Sequence, residues 1–333
     1  MASEPTYAIT YVTEHWVINW TDGEQAQLPS TSTVNTRPDG LVQFGGFTLK
    51  WQNCTSPVVT GPSDLVTKIC ALNTGIQITS KSGLDIAQGF VEGHSTLSKF
   101  GRNPSIDTAS TPEDLWSVGG LYNFLTAAAT IRVKSGGDAA DTNGGAGAQT
   151  IFVQGLDSDF NQISDTITLA GASASAATTN QYIRVSRAYV TSCGTYGAAN
   201  TADIDIETTG GTTVARIPAG SGQTQQVIYT VPAGFTGYLT KLKFSADTNS
   251  NRTVSFELYK RENADDVTTP FSPIRAVQLF DGISGIVEVN YGEAPLVFTE
   301  KTDVWIRISS VSNNGTAVSG ALDGYIVSNS VLP

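Results

Sequence analysis

Asp203-Ile204-Asp205-Ile206-Glu207 alternates acidic and apolar side chains, so an extended backbone puts both isoleucines on one face and all three carboxylates on the other. A helical period of 3.6 would scatter the same residues around a cylinder. Working outward, the same period of two recurs at Ile151 and Val153, at Ile167 and Leu169, and at Ile183 and Val185. Beyond Thr212 it sharpens, through Val227 and Tyr229, Tyr238 to Phe244, Val254-Phe256-Leu258 and Ile274 to Phe280. It continues in Ile286 to Val289, Val304-Ile306-Ile308 and Gly324 to Val327. The run from Ala128 to Pro333 therefore reads as short, half-buried strands joined by Gly, Ser, Thr and Asn turns.

Eight or so strands at about 10–15-residue spacing are what a two-sheet jelly roll or similar sandwich needs. Val231-Pro232-Ala233-Gly234 and Asn313-Asn314-Gly315 supply the bends. The small-residue segments Ser135 to Ala146 and Gly171 to Thr179 read as exposed, flexible loops. A central β-domain is expected over residues 128–205 and a jelly-roll-like C-terminal domain over 206–333.

Residues 1–89 form a first unit with strand-like pieces Tyr7 to Trp20, Leu41 to Gln52 and Ile76 to Thr79. One short helix is signalled by Ser63 as N-cap, Leu65, Ile69 and Leu72 on one face, and Gly75 as stop. Residues 90–127 read as a compact connector, within which Thr111-Pro112-Glu113-Asp114 has the form of a capped single turn of helix. The fold class expected is all-β and multidomain, a β-sandwich with short helical turns confined to the N-terminal part.

Composition agrees with sheets. Charged residues are 15% of the 333, glycine reaches 33 and methionine occurs once. Nineteen basic against 30 acidic residues give a formal charge of −11, which repels nucleic acid on average. The sequence MASEPTYAITYV lacks a basic stretch followed by an apolar core, and no run of about 18 apolar residues occurs, so neither secretion nor membrane insertion is expected. Three cysteines, Cys54, Cys70 and Cys193, cannot all pair. A Cys54–Cys70 bridge and three reduced, buried thiols both satisfy the count, and the second is preferred.

No residue earns a catalytic, cofactor-binding or metal-ligating assignment. The histidines His15 and His94 lie far apart, and no Gly-x-Ser-x-Gly elbow accompanies either. Gly155-Leu156-Asp157-Ser158-Asp159-Phe160-Asn161 has oxygen ligands at alternate positions, as calcium loops do, but lacks the glycine and terminal glutamate of an EF-hand, and so reads as a tight turn. Ala219-Gly220-Ser221-Gly222-Gln223-Thr224 lacks the lysine of a phosphate loop and also reads as a turn. Glu113-Asp114 and Asp265-Asp266 are neighbours in sequence, whereas glycoside hydrolysis needs two acids facing across a cleft. Trp116 and Trp305 are expected to be buried anchors rather than sugar-stacking platforms.

Several segments carry a resemblance. Gly93-His94-Ser95, Lys99-Phe100-Gly101-Arg102-Asn103-Pro104, Ile106-Asp107-Thr108, Pro112-Glu113-Asp114-Leu115-Trp116, Gly155-Leu156-Asp157, Tyr182 to Val190, Gly220 to Thr224 and Tyr229 to Gly234 resemble segments of virion structural proteins of tailed bacteriophages, over roughly residues 93–245. The resemblance implies a non-enzymatic accessory protein attached to capsid or tail, of decoration or fibre type. It further implies contact with other virion proteins, a symmetric oligomer such as a homotrimer, no cofactor, and assembly in the host cytoplasm. A rival is a receptor-binding tail fibre or spike that grips a host surface glycan; a second is a depolymerase.

Overall fold

The computed structural model describes residues 7–12, 15–20, 25–29, 34–36, 41–44, 47–50, 58–60, 83–247, 252–292 and 294–332, with side chains from residue 86 onward. The chain divides into two units, Met1–Glu92 and Gly93–Pro333.

In the first unit β1 (Tyr7–Val12) and β2 (His15–Trp20) form a hairpin with Tyr7 opposite Trp20. The sequence reading had joined them as one strand. β3 (Gln25–Pro29) pairs with β2, and β7 (Val58–Thr60) runs parallel to β1. A second sheet holds β4 (Val34–Thr36), β5 (Leu41–Phe44) and β6 (Phe47–Lys50), so the piece read as Leu41 to Gln52 is also a hairpin. A short helix α1 spans Gly83–Ala87. The helix expected from Ser63 to Gly75, the strand Ile76 to Thr79 and the cysteines Cys54 and Cys70 lie outside the described residues.

The second unit contains two sandwiches, almost wholly antiparallel. One is built from β10 (Ala129–Ser135), β11 (Ala148–Leu156), β12 (Gln162–Thr168), β13 (Gln181–Tyr182), β14 (Arg184–Cys193), β15 (Ile204–Thr208) and β16 (Thr213–Ile217). Its sheets have the orders β13-β10-β15-β16 and β12-β11-β14. Ile131, Val133, Ile151, Val153, Ile204 and Ile206 fill the space between them, each fully buried. The alternation that opened the sequence reading thus places Ile204 and Ile206 inward, with Asp205 and Glu207 on the other face, where they meet Arg216 and Arg132.

The second sandwich is jelly-roll-like and takes β8 (His94–Ile106), β9 (Glu113–Asp114), β17 (Ile228–Thr230), β18 (Phe235–Ala246), β19 (Val254–Arg261), β20 (Arg275–Ile283), β21 (Ile286–Asn290), β22 (Leu296–Phe298), β23 (Asp303–Val311) and β24 (Thr316–Ser328). One sheet runs β17-β23-β19-β20 with β9 on β23, the other β21-β18-β24-β8 with β22 on β18. Between them Phe244, Phe256 and Phe280 stack in a column, with centroids 3.8 Å and 4.6 Å apart. Stacked rings bury a large apolar area per residue, so this column contributes heavily to the core.

Two readings are corrected here. Residues 90–127 do not form a separate connector: β8 is an edge strand paired with β24 from Ile106↔Thr316 to His94↔Val327. The turn of helix read at Thr111 to Asp114 is instead β9, opposite Arg307 and Ile308. A single helical turn gains one backbone bond for three residues fixed, whereas the edge of β23 offers a ready ladder. The passage between the cores also differs from the expected boundary at 205/206, which falls inside β15. The hairpin β15–β16 closes the first sandwich, and the second resumes at β17. The first sandwich is therefore an insertion between β9 and β17.

Loop 135–146 is not simply an exposed linker. Asp141 is fully buried and accepts hydrogen bonds from the backbone amides of Ala148, Thr201 and Ala202, at 2.9 Å each.

Phe256→Ala would remove the middle ring of the column. We expect a loss of about 3–5 kcal/mol in the free energy of denaturant unfolding, the range for large-to-small changes at a site that cannot collapse.

Candidate functional site

Several buried charges of the second unit lie at the junction of the two sandwiches, whereas Asp141 is buried within the first. Arg184 begins β14, held where the strand crosses Gly155. A Cβ on Gly155 would sit 2.1 Å from the Arg184 carbonyl oxygen, so only glycine permits this crossing. The guanidinium donates through Nε and Nη2 to Asp303 Oδ1 and Oδ2, both at 2.9 Å, and through Nη1 to the carbonyls of Leu125 and Ile183, both at 2.8 Å. Asp303, at the start of β23, also accepts from Arg261 Nη2 at 2.9 Å and Thr230 Oγ1 at 2.6 Å. The two side chains are 3% and 0% exposed, so this is a fully desolvated bidentate pair joining one sandwich to the other.

A second buried acid repeats the arrangement. Asp114 accepts from Arg307 Nε at 2.7 Å, Arg307 Nη2 at 3.2 Å and the Tyr122 amide at 2.7 Å. Its neighbour Glu113 accepts from Asn103 Nδ2 and the Gly120 amide, both at 2.8 Å, and from Ser110 Oγ. Read in the sequence as a cap, the two instead anchor the segment after β8, Asp114 to β23 through Arg307 and Glu113 back to β8 through Asn103.

Aromatic rings pack around these charges. Trp116, Tyr122, Phe124 and Trp305 follow one another edge to face or tilted, at centroid distances of 5.0, 4.8 and 5.0 Å, and Tyr259 stacks on Trp305 at 5.6 Å. The Arg184 guanidinium lies 5.1 Å from the Phe124 ring and that of Arg307 5.1 Å from Tyr259. Trp116 and Trp305 are buried, as expected; the side chains of Trp16, Trp20 and Trp51 fall outside the described residues. Burial pushes the Tyr122 hydroxyl up to about 12, with Asp303 adding to the rise and Arg184 opposing it.

The Asp157 turn completes the junction. Asp157 Oδ1 accepts from the amides of Asp159 and Asn161, both at 2.9 Å, and so closes the turn read from the sequence. This holds Phe160 at φ +67° and fully buried, beside Ala264 of the second sandwich. Among the described residues no group of three or more His, Cys, Asp or Glu converges as metal ligands do. Gly220 and Gly222 of the other glycine-rich turn donate to Asn200, through its carbonyl and Oδ1 respectively.

A cleft of about 560 Å3 opens beside the junction, between β8 and β17 on one side and β11, β12 and β14 on the other. Lys99 and Arg187 line it. Lys99 is 5% exposed and its ammonium donates to the Ser186 carbonyl; Arg187 Nη2 donates to the Ser98 carbonyl at 2.7 Å. Desolvation, with the Arg187 charge adding to it, pushes the Lys99 amine down to about 7.

Sequence reasoning quoted Lys99, Arg184 and Arg187 only as parts of resembling segments and gave none of them a role. The available signal was a charge inside an apolar strand, as in Ile183-Arg184-Val185, or bordering one, as in Asp303-Val304-Trp305.

No protein-family model matches the chain, and no curated protein sequence does. Among solved structures, the chain is similar at 11% identity to one described as the structure of infectious bursal disease virus Gx strain, over 77% of this chain and 76% of that one, with a TM-score of 0.20. A crystal structure of the infectious bursal disease virus VP2 subviral particle gives 12% identity over 78% and 76%, with a TM-score of 0.16. Superposition at this level does not amount to a common fold.

Two outcomes follow from the buried charges. Arg184→Met leaves Asp303 buried without its bidentate partner and is expected to cost about 3–5 kcal/mol in urea unfolding, while the double variant with Asp303→Leu loses less than the sum of the two single changes. Lys99 titrates at about 7 in the folded chain against the ordinary 10.5. Below about pH 7 both states carry the proton and the burial cost is fully felt; as pH rises toward 10.5 the unfolded chain holds a proton that the folded chain has shed, so stability gains. Lys99→Met is therefore expected to be more stable than the parent near pH 6, with an advantage that shrinks steadily to pH 9.

Proposed function

We propose that this chain is a non-enzymatic structural protein of a virus particle, attached to the capsid or tail of a tailed bacteriophage and working through contacts with other virion proteins and with its own copies. The observation that carries the reading is how the second unit uses its buried charges. Asp114, Glu113, Asp303 and Arg184 are all committed to joining strands and sandwiches, the work of a part that bears load rather than one that turns over a molecule. The resemblance of residues 93–245 to virion proteins points the same way.

A surface for neighbouring copies is present at the strands that end each sheet. β20 and β21 are both edges, and Leu279 and Ile286 on them are 59% and 82% exposed, with Phe271 and Ile274 exposed alongside. An apolar side chain beside an open ladder is the pattern that a trimer buries. Residues 1–89 are the docking end in this reading. A second reading, recognition of a host surface glycan by a fibre or spike, draws on the polar cleft beside Lys99.

Mass spectrometry of purified particles is expected to find this chain at a fixed copy number, with chemical crosslinks from residues 1–89 to another virion protein. Light scattering of the isolated protein is expected to give three times the chain mass of 35.0 kDa. Absence from particles would overturn the structural assignment, and release of reducing sugar from host polysaccharide would overturn the non-enzymatic one.

A further inference from the structure

The cleft beside the junction has a chemistry that the load-bearing role does not require. Its volume of about 560 Å3 falls inside the range of about 300–1,000 Å3 typical of small-molecule sites. It presents two cations, Lys99 and Arg187, and no aspartate or glutamate among the residues that line it. In a chain of net charge −11 such a local excess of positive charge runs against the average field. Each cation is held by a carbonyl oxygen, of Ser186 and of Ser98, which fixes its position and leaves its charge unneutralised. Burial pushes the Lys99 amine down to about 7, so below that pH an ammonium is kept desolvated without a counter-ion, and an anion entering the cleft would recover part of that cost.

The rest of the lining narrows the class of anion. Gln154, Gln162 and Ser164 also line the cleft, and all three are exposed to solvent. Amides with both donors and acceptors match vicinal hydroxyls. A bare phosphate would use the cations and the amide and hydroxyl donors but would leave the amide oxygens unmatched, and an apolar ligand would match none of these groups.

We propose that this cleft binds an acidic saccharide, its carboxylate paired with Lys99 and Arg187 and its hydroxyls with Gln154, Gln162 and Ser164. The proposal rests on the glycan-recognition reading given above and supplies that reading with a site and a ligand class.

Calorimetric titration of the full chain with trigalacturonate at pH 6, where Lys99 carries its proton, tests it, with maltotriose as the uncharged control and acetate as the carboxylate without hydroxyls. The expected result is saturable binding of trigalacturonate, at least tenfold weaker binding of maltotriose and acetate, and at least a tenfold loss in Arg187→Gln, as removal of one charge-assisted hydrogen bond predicts. Arg187→Gln changes a half-exposed side chain and keeps the fold testable should Lys99→Met disturb packing. No binding of trigalacturonate, equal binding of maltotriose or acetate, or unchanged affinity in Arg187→Gln would overturn the site. If host polysaccharide displaces the protein from cells while trigalacturonate does not bind, the glycan reading stands and this cleft is not its site; if neither binds, both fall.

Discussion

The second unit depends on one buried contact, the bidentate pair of Arg184 and Asp303. It joins β14 of the inserted sandwich to β23 at the centre of the other, and every acceptor position of the carboxylate is filled, by Arg184 twice, Arg261 and Thr230. An ion pair stripped of water contributes little net stability compared with a well-packed apolar contact. What it enforces is geometry, since any sliding of one sandwich on the other would leave a charge buried and unpartnered. The aromatic rings stacked around it exclude water and keep that penalty high. Two cores that could each have packed in several relative orientations are thereby limited to one.

The extent to which this was legible in the sequence follows from which strands face apolar cores. β11, β15, β18, β19 and β23 read correctly as strands because their inward positions are mostly Val, Ile, Leu and Phe. β8 was read as a connector because its inward positions are Lys99, Gly101 and Asn103, and Pro104 interrupts it. An edge strand can carry Lys and Pro, since one side of its ladder has no partner to satisfy. Gly101 is there because a Cβ would come within 2.8 Å of the backbone at Gln226 and Val227. Nothing local signals the partner that makes β8 a strand, because β24 comes more than 200 residues later; the Ser98–Asp323 hydrogen bond spans 225 positions.

The same reasoning separates the two kinds of charge at the junction. Asp303 has every acceptor position filled, Arg184 makes four hydrogen bonds and Asp114 accepts three, all of them spent in holding the chain. Lys99 and Arg187, a short distance along β8 and β14, are held only by carbonyls. A sequence shows both groups as isolated charges in β-rich surroundings. Only the pairing of β8 with β24, and the seating of β14 against it, sorts structural charges from available ones.

The insertion of one sandwich into the other has a mechanical consequence. The second unit begins beside where it ends: the Ser328 amide donates to the Gly93 carbonyl at 2.7 Å, at the open end of the β8–β24 ladder. Tension applied through these two points would peel that ladder apart one hydrogen bond at a time, from the His94 end inward. The inserted sandwich is entered along the chain through β9 and β17, but its strand β14 is bonded to β8 by Lys99–Ser186 and Arg187–Ser98, so the peeling front would transmit its load to that sandwich once it reached Ser98.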